Sequence, residues 1–191
     1  MRTNFLKVSS MFLFAGILMI SSCKSSKGIS PKEAGEVLIQ SYCTGDEFKS
    51  TAKALRYSAI GESMDQMTAK KKAISEAKAG LAGSINTLVK GVTDNYVKSG
   101  NFNNKEELLK NYEGLNREVI DQSLAGTIVI CEKMTKTKKG NYKSYVCIEL
   151  GGNEILQSIN NKATSNEMLK VDYNYEKFKK TFEEEMSKMG K

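Results

Sequence analysis

Cysteine is the residue type through which this sequence could do chemistry. The chain of 191 residues contains Cys23, Cys43, Cys131 and Cys147, and it contains no histidine. Without histidine there is no Ser-His-Asp or Cys-His catalysis, no histidine metal ligand and no histidine pH switch. The cysteines also lack the Cys-x-x-Cys spacing of zinc and redox sites. The sequence therefore predicts a protein that is not an enzyme and that holds no metal or cofactor.

Residues 1–22 have the pattern of a bacterial lipoprotein signal peptide. Arg2 and Lys7 are the only charges before Cys23, and Met11–Ile20 is an apolar run too short for a bilayer, which needs about 20 residues. The run leads into Ile20-Ser-Ser-Cys23, which resembles a lipobox. The resemblance implies cleavage before Cys23 and acylation of its thiol, each buried CH₂ contributing roughly 0.8 kcal/mol to anchoring. An ordinary secretory signal with an incidental cysteine is the alternative.

Residues 23–31 are predicted to form a lipidated, flexible tether. Their small polar residues keep such a segment solvated. Some surface-exported lipoproteins have acidic residues after the lipidated cysteine, whereas this chain has Lys24 and Lys27. The lysines favour the periplasmic side of the outer membrane. They also suit anionic headgroups, at about 1 kcal/mol each, although a soluble spacer explains them equally well.

The remaining residues predict a small α+β domain and a terminal helix. The sheet is expected to be antiparallel, with about three strands and a long helix packed across it. Ala69, Ala73 and Ala77 form a stripe of small side chains that lets this helix lie close to a sheet. The predicted elements are a strand over 54–61, helices over 63–98, over 104–124 and from 152, a hairpin over 127–150 within an α+β domain of residues 32–163, and an amphipathic helix over 164–191.

Capping pairs set the predicted starts of three helices. In each pair a polar side chain caps the first amides and a residue three positions later reaches back. The pairs are Ser63 with Gln66, Asn104 with Glu107, and Thr164 with Glu167. Within the long helix, Gly80, Gly83 and Gly91 each cost up to about 1 kcal/mol relative to alanine, so a bend or a projecting end is expected.

The hairpin has a predicted register. Gly140 can take the left-handed conformation that a three-residue loop at 138–140 requires. Counting back from that loop places Cys131 opposite Cys147. It also pairs Ile130 with Ile148 and Ile128 with Leu150.

Cys23 aside, three cysteines remain, and an exported location permits disulfides. Cys131 and Cys147 face each other in the hairpin, but a bond there closes only a short loop and adds little stability. A Cys43–Cys131 bond would tie the N-terminal segment to the sheet and constrain far more of the chain. We therefore predict Cys43–Cys131, with Cys131–Cys147 as the less favoured pairing. Three buried, reduced thiols are a further alternative, because cysteine packs well as a small hydrophobe.

Lysines give the chain a formal net charge of +7. They cluster at 70–72 and in the hairpin. A membrane-tethered, exported chain does not meet nucleic acid, so a nucleic-acid partner is not expected. Peptidoglycan, lipid headgroups or an acidic partner fit such patches, and a solvated surface is the commoner explanation.

Short motifs within 55–152 resemble one lipoprotein family. Arg56-Tyr-Ser-Ala-Ile-Gly61-Glu-Ser63, with the alanine stripe that follows, is similar to the core motif of the LPP-twenty outer-membrane lipoproteins. Asn116–Leu124 and Tyr145–Leu150 are similar to that family's C-terminal half. The resemblance implies an antiparallel sheet crossed by a long helix, no enzymatic activity, no cofactor, and an envelope role by assembly, often through self-association.

Two functions follow as hypotheses. The first is a non-catalytic lipoprotein that is anchored to the membrane and acts as a scaffold or assembly factor, with a homo-oligomer or an envelope protein as partner. The alternative is a periplasmic binding module for a glycan or lipid, which would need a concave apolar pocket. Tyr57, Tyr112 and Tyr145 are the candidate lining residues, and core packing explains them equally well.

Overall fold

The structure is a computed structural model, and it describes residues 39–190. This part of the chain forms an α+β fold, as predicted. A short 3-10 turn at Asp46–Phe48 precedes the regular elements. These are β1 (Ala54–Ser63), α1 (Gln66–Ser99), α2 (Lys105–Ala125), β2 (Ile128–Lys136), β3 (Tyr142–Gly151), α3 (Gly152–Ser165) and α4 (Tyr175–Met189). The predicted signal peptide, Cys23 and the tether lie outside the described residues.

The sheet is antiparallel and has the strand order β1-β3-β2. β1 pairs with β3 without interruption, from Ala54 opposite Gly151 to Ser63 opposite Tyr142. β1 and β2 are therefore the two edge strands. We call the face toward α1 the inner face, which carries the buried Val146 and other alternate residues of β3.

α1 lies close to β1 because small residues face each other. Ala69, Ala73 and Ala77 are fully buried, which confirms the predicted alanine stripe. Opposite them stands Gly61 of β1, where an added Cβ would collide with the backbone of Ala69 and Ala73. A side chain at residue 61 would have to push α1 off the sheet, so this glycine sets the spacing between strand and helix.

The C-terminal half of α1 does not project from the domain. α1 continues unbroken past Gly80, Gly83 and Gly91. Its end packs against α2 and α4, and Leu88 and Val92 are buried there. The expected projecting end is wrong, because packing along the helix outweighs the modest propensity cost of the glycines.

Two helix starts can be compared with their predicted caps. Asn104 caps α2 as predicted, accepting the amide N–H of Glu107 at 3.2 Å. The predicted cap of α1 at Ser63 is wrong. Pairing with β3 extends through Ser63, and Asp65 caps α1 instead, accepting the amide N–H of Thr68 at 2.7 Å.

A β-bulge changes the predicted hairpin register. Gly140 takes a positive φ of 91°, and Cys131 lies opposite Cys147, both as predicted. Between Val129 and Cys131 the register then shifts, so Val129 pairs with Ile148 and Ile128 pairs with Glu149. The predicted pairs of Ile130 with Ile148 and Ile128 with Leu150 are wrong because Ile130 is the extra residue of the bulge.

The C-terminal residues do not form one continuous helix. α3 ends at Ser165, and Asn166 then accepts the amide N–H groups of Met168 and Leu169 at 3.0 and 3.1 Å in a turn. Asn174 caps α4 by accepting the amide N–H of Lys177 at 3.0 Å. The predicted helix start at Thr164 is wrong, because the asparagine side chains satisfy the backbone in turns.

Aromatic side chains join α4 to the end of α1. The Tyr96 hydroxyl donates to the carbonyl of Asp172 at 2.8 Å and accepts the amide N–H of Asn174 at 2.7 Å. These bonds fix the turn before α4. Five rings around this point form an aromatic cluster, in which each ring centroid lies within 6.3 Å of another. The rings belong to Tyr96, Phe102, Tyr112, Tyr173 and Phe178.

Candidate interaction surface

The outer face of the sheet, opposite α1, is covered by residues 42–51, which we call the cover segment. A disulfide joins Cys43 of this segment to Cys131 of β2, with Cα atoms 5.6 Å apart. The Ser58 hydroxyl on β1 donates to the carbonyl of Cys43 at 2.5 Å. The Tyr42 ring meets Tyr145 of β3 edge-on at 5.3 Å. The cover segment is thus attached to all three strands.

Cys147 is fully buried under the cover segment and is unpaired. Its Sγ lies 3.9 Å from the carbonyl of Phe48. Burial raises the pKa of the Cys147 thiol above its ordinary value. The thiol is therefore neutral and shielded, which is unsuited to nucleophilic chemistry. Although Cys131 lies opposite Cys147, its bond is to Cys43, the pairing that the sequence analysis favours.

Arg56 holds the middle of the cover segment on the sheet. Its Nε donates to Glu149 Oε2 on β3 at 2.6 Å, and the two side chains are only 21% and 23% exposed. Its guanidinium also donates to the carbonyls of Glu47 and Lys49 at 3.0 and 3.1 Å. This network positions backbone, so Arg56 is a structural residue in this arrangement.

The backbone of β1 has alternate residues turned away from the sheet. The carbonyl of Lys53 accepts the amide N–H of Gly152, on the side of β3, at 2.8 Å. Arg56 instead exchanges hydrogen bonds with the Ser50 hydroxyl, at 3.0 Å through its N–H and 3.3 Å through its carbonyl. Because the direction alternates along an antiparallel strand, the even-numbered residues of β1 point outward at the edge.

The outward backbone groups of Ser58 and Ile60 form an open stretch of edge. At one end of this stretch the Ser50 hydroxyl bonds the backbone of Arg56. At the other end the Lys72 ammonium donates to the carbonyl of Glu62 at 3.3 Å. Within residues 39–190, no hydrogen bond reaches the outward N–H and C=O groups of Ser58 or Ile60. An open edge of this kind is a template for another strand.

A groove of about 690 Å³ runs along this open edge, and we call it the β1 groove. Residues 57–62 form its floor, and α1 forms its wall. The Tyr57 ring leans on Gly80, where an added Cβ would collide with it. The wall residues are Lys72, Glu76, Ala79 and Gly80. Sequence reasoning missed this groove, because it treated Gly80 only as a weak point in a helix.

One charged residue of the β1 groove has a perturbed titration. The Asn141 amide donates to Glu62 at 2.9 Å, and Lys143 lies 3.5 Å from the same carboxylate. The Asn141 hydrogen bond, ahead of the lysine charge, lowers the pKa of Glu62. Glu62 therefore stays negatively charged at the end of the strand.

The three tyrosines proposed as pocket-lining residues do not come together. Tyr57 is 41% exposed in the β1 groove, on the inner face. Tyr145 lies on the outer face with Tyr42. Tyr112 is buried in the aromatic cluster and borders a cleft of about 240 Å³ between α1 and α2. They therefore do not line a shared pocket.

The basic patches are partly neutralised by neighbours. Lys70 forms an ion pair with Glu132 at 2.9 Å, and Lys143 forms one with Glu62 at 3.5 Å. Lys136 lies over the Tyr142 ring at 5.1 Å. Exposed pairs of this kind contribute at most about 1 kcal/mol each, so these lysines have ordinary roles at a solvated surface.

No group of three or more His, Cys, Asp or Glu residues in 39–190 is arranged to hold a metal ion. None of the helices in the same range has the length and apolar character needed to cross a bilayer. Comparisons with models of protein families, with curated proteins and with solved structures found no match to this chain. The resemblance to the LPP-twenty lipoproteins thus rests on its short motifs and stays a prediction.

Proposed function

We propose that this protein is a non-catalytic lipoprotein of the bacterial envelope, anchored through Cys23 and acting as a scaffold or assembly factor. The observation that carries the proposal is the basic, apolar leader ending in Ile20-Ser-Ser-Cys23. Acyl chains on one thiol hold a protein at a membrane through buried CH₂ groups, each worth roughly 0.8 kcal/mol. Lys24 and Lys27 next to the anchor support the periplasmic side of the outer membrane.

The disulfide supports an exported location. Cys43 and Cys131 are bonded across 88 residues of sequence. Disulfides persist in oxidising compartments such as the periplasm and are rare in the cytosol. A bond that secures the cover segment of the domain therefore agrees with a signal peptide that exports the chain.

The β1 groove supports a role through protein contacts. It offers backbone groups of Ser58 and Ile60 that nothing else in residues 39–190 bonds, beside exposed side chains, with Ile60 50% and Tyr57 41% exposed. Strand addition at such an edge takes affinity from main-chain hydrogen bonds and specificity from neighbouring side chains. The absence of histidine from the whole sequence argues against the commonest forms of acid-base catalysis.

Membrane fractionation with acyl labelling tests the anchor. The full chain and its Cys23→Ala variant are expressed with a palmitate analogue, and membranes are separated from the soluble fraction. We expect Cys23→Ala to lose the label and to leave the membrane fraction. Cys147→Ala is the matched control, since it removes a buried thiol and should keep label and location. A Cys23→Ala protein that stays labelled and membrane-bound would contradict the proposal.

Crosslinking in intact cells tests the scaffold role. The full chain is crosslinked in intact cells and isolated from the membrane fraction. The proteins crosslinked to it are then identified. We expect envelope proteins or further copies of this chain. An anchored protein that is crosslinked to nothing would contradict the scaffold role and leave the anchor standing.

A further inference from the structure

The two edges of the sheet differ in their protection against pairing. β2 has a bulge at Ile130, and its sequence contains Lys133 and Lys136, both devices that discourage strand addition. β1 pairs with β3 without any bulge and contains neither lysine nor proline. The β1 edge is therefore the one that can accept another strand.

The sequence of β1 around Ala59 is complementary to itself when two copies run antiparallel. With Ala59 opposite Ala59 of a second copy, Tyr57 lies opposite Gly61, and Arg56 lies opposite Glu62. The ring of Tyr57 would then lie beside a residue without a side chain, on the face of the β1 groove. Ser50 and Lys72 hold the outward main chain at Arg56 and Glu62, so the two residues would face each other through their oppositely charged side chains only, once at each end of the open stretch.

The charges continue beyond the two β1 strands. Arg56 already pairs with Glu149 at 2.6 Å, and Glu62 lies 3.5 Å from Lys143. In the antiparallel arrangement, one row across four strands would read Glu149, Arg56, Glu62 of the second copy and Lys143 of the second copy. The signs alternate along this row without a like-charge neighbour, which is the complementarity that fixes a register.

The free backbone groups match the same register. Ser58 would lie opposite Ile60 of the second copy, and Ile60 opposite its Ser58. These are the residues whose outward groups are open, between Arg56 bound by Ser50 and Glu62 bound by Lys72. A directly opposed pair of this type exchanges both of its N–H···O=C bonds. The open stretch is thus long enough for pairing centred on Ala59.

The geometry points to a second copy of this chain as the occupant of the β1 groove, paired antiparallel through β1 about a twofold axis at Ala59. The pairing makes one continuous sheet from two sheets, an isologous contact in which each copy uses the same surface. The inference rests on the proposed function, for which it names a partner. Anchoring both copies in one membrane raises their effective concentration, so a short interface suffices.

Cysteine crosslinking at the twofold axis tests the pairing. In this register Ala59 forms a non-hydrogen-bonded pair with itself, whose Cα atoms are about 4.5 Å apart, within the range for a disulfide. The full chain with Ala59→Cys is oxidised in intact cells and resolved without reductant. We expect a dimer band that reductant removes. Ser63→Cys is the matched control, because it lies on the same strand outside the charge pairs and its two copies would be about 27 Å apart at 3.4 Å per residue.

A second pair of variants covers the case in which Ala59→Cys fails to fold. Ser58→Cys and Ile60→Cys are placed in separate tagged chains expressed together, both also carrying Cys147→Ala, because a thiol at residue 58 lies opposite Cys147 and would bond it within one chain. Directly opposed hydrogen-bonded residues have Cα atoms about 5.5 Å apart, which also permits a disulfide. The mixed dimer should form only when both chains are present. Ile60→Pro removes an outward N–H at an edge where proline is tolerated, and it should abolish the Ala59→Cys crosslink.

Each outcome decides the pairing separately from the anchor. An Ala59→Cys dimer without a Ser63→Cys dimer supports the twofold arrangement. Equal dimer from both, or none from either cysteine design in protein that is membrane-bound, overturns it and leaves the proposed function intact. If no dimer forms and residue 60 is crosslinked instead to a different envelope protein, or to residues before 39 of the same chain, then another segment occupies the edge. Either result also overturns the pairing.

Discussion

Removing the disulfide should cost the protein a large share of its stability. The bond spans 88 residues of sequence. The chain-entropy relation, with that loop length, gives about 4.6 kcal/mol of destabilisation when the crosslink is lost from the unfolded chain. For a domain of this size that corresponds to a fall of about 10 to 20 °C in Tm. The sheet and helices do not depend on the bond for their hydrogen bonds, so we expect a weaker fold with the same far-UV spectrum.

Urea denaturation of two variants measures this effect. In the double variant Cys43→Ala and Cys131→Ala the crosslink is absent, and the free energy of unfolding is compared with that of the unchanged chain. Cys147→Ala is the control, because it removes a fully buried thiol and leaves the crosslink in place. The control should lose about 1 kcal/mol for the small cavity it creates.

Two results would contradict a stabilising role for the Cys43–Cys131 disulfide. One is a loss in the double variant of less than about 1 kcal/mol, well below the range typical for native disulfides. The other is an equal loss in the Cys147→Ala control, which would assign the effect to packing of sulfur under the cover segment. An effect that disappears when both proteins are measured in reductant would confirm that the bond is responsible.

Five further predictions concern single residues. Gly61→Ala should lose about 1–3 kcal/mol, because its Cβ meets the backbone of α1. Gly83→Ala, with open space around it, should gain up to about 1 kcal/mol. Tyr96→Phe should lose about 1–3 kcal/mol, because it leaves two backbone groups unpaired. Tyr173→Phe should lose little, because the Tyr173 hydroxyl is buried without a partner in residues 39–190. At a pH near 9.0, the ordinary pKa of a thiol, Cys147 should resist alkylation until the protein unfolds, since burial raises its pKa.

Tyr173 makes the stability of the protein depend on pH, with a definite sign. Burial raises the pKa of Tyr173 above its ordinary value of 10.0, so the folded protein favours the neutral phenol. That contribution is fully present below pH 10.0 and is lost as the pH rises toward the folded-state pKa. The free energy of unfolding should therefore fall above this pH, and less steeply in Tyr173→Phe.

Contrary results for these variants would each locate an error. Equal effects of the two glycine changes would mean that α1 does not lie against residue 61. A neutral Tyr96→Phe would mean that its hydroxyl does not hold the turn before α4. Rapid alkylation of Cys147 in folded protein would mean that the cover segment does not shield the outer face. Thermal and urea unfolding, with mass spectrometry for alkylation, supply the measurements.

The elements of the fold were predictable where one physical pattern dominates. The alanine stripe of α1 and the positive φ of Gly140 follow from steric limits that act locally, and both are confirmed. The bulge at Ile130 was not predictable, because counting from a turn assumes uninterrupted pairing. The cap at Asp65 and the turn at Asn166 depend on where strand pairing and packing end, which local spacing does not specify.

The candidate surface was predictable only in part. Comparing loop lengths favoured the Cys43–Cys131 pairing that the structure contains. The β1 groove depends on which strands end up at the edges, and the order β1-β3-β2 places the first strand outside. In the sequence, the large side chain of Tyr57 and the absent side chain of Gly61 lie at equal distances from Ala59. This symmetry can be interpreted only once β1 is known to be an edge strand.

Intact-mass measurement of the protein extracted from membranes decides whether Cys23 is the lipid anchor. We expect a polypeptide that begins at Cys23 and is heavier than its sequence by a diacylglyceryl group and an amide-linked acyl chain. A mass that corresponds to an unmodified Cys23, or to a chain that still contains residues 1–22, would contradict this expectation.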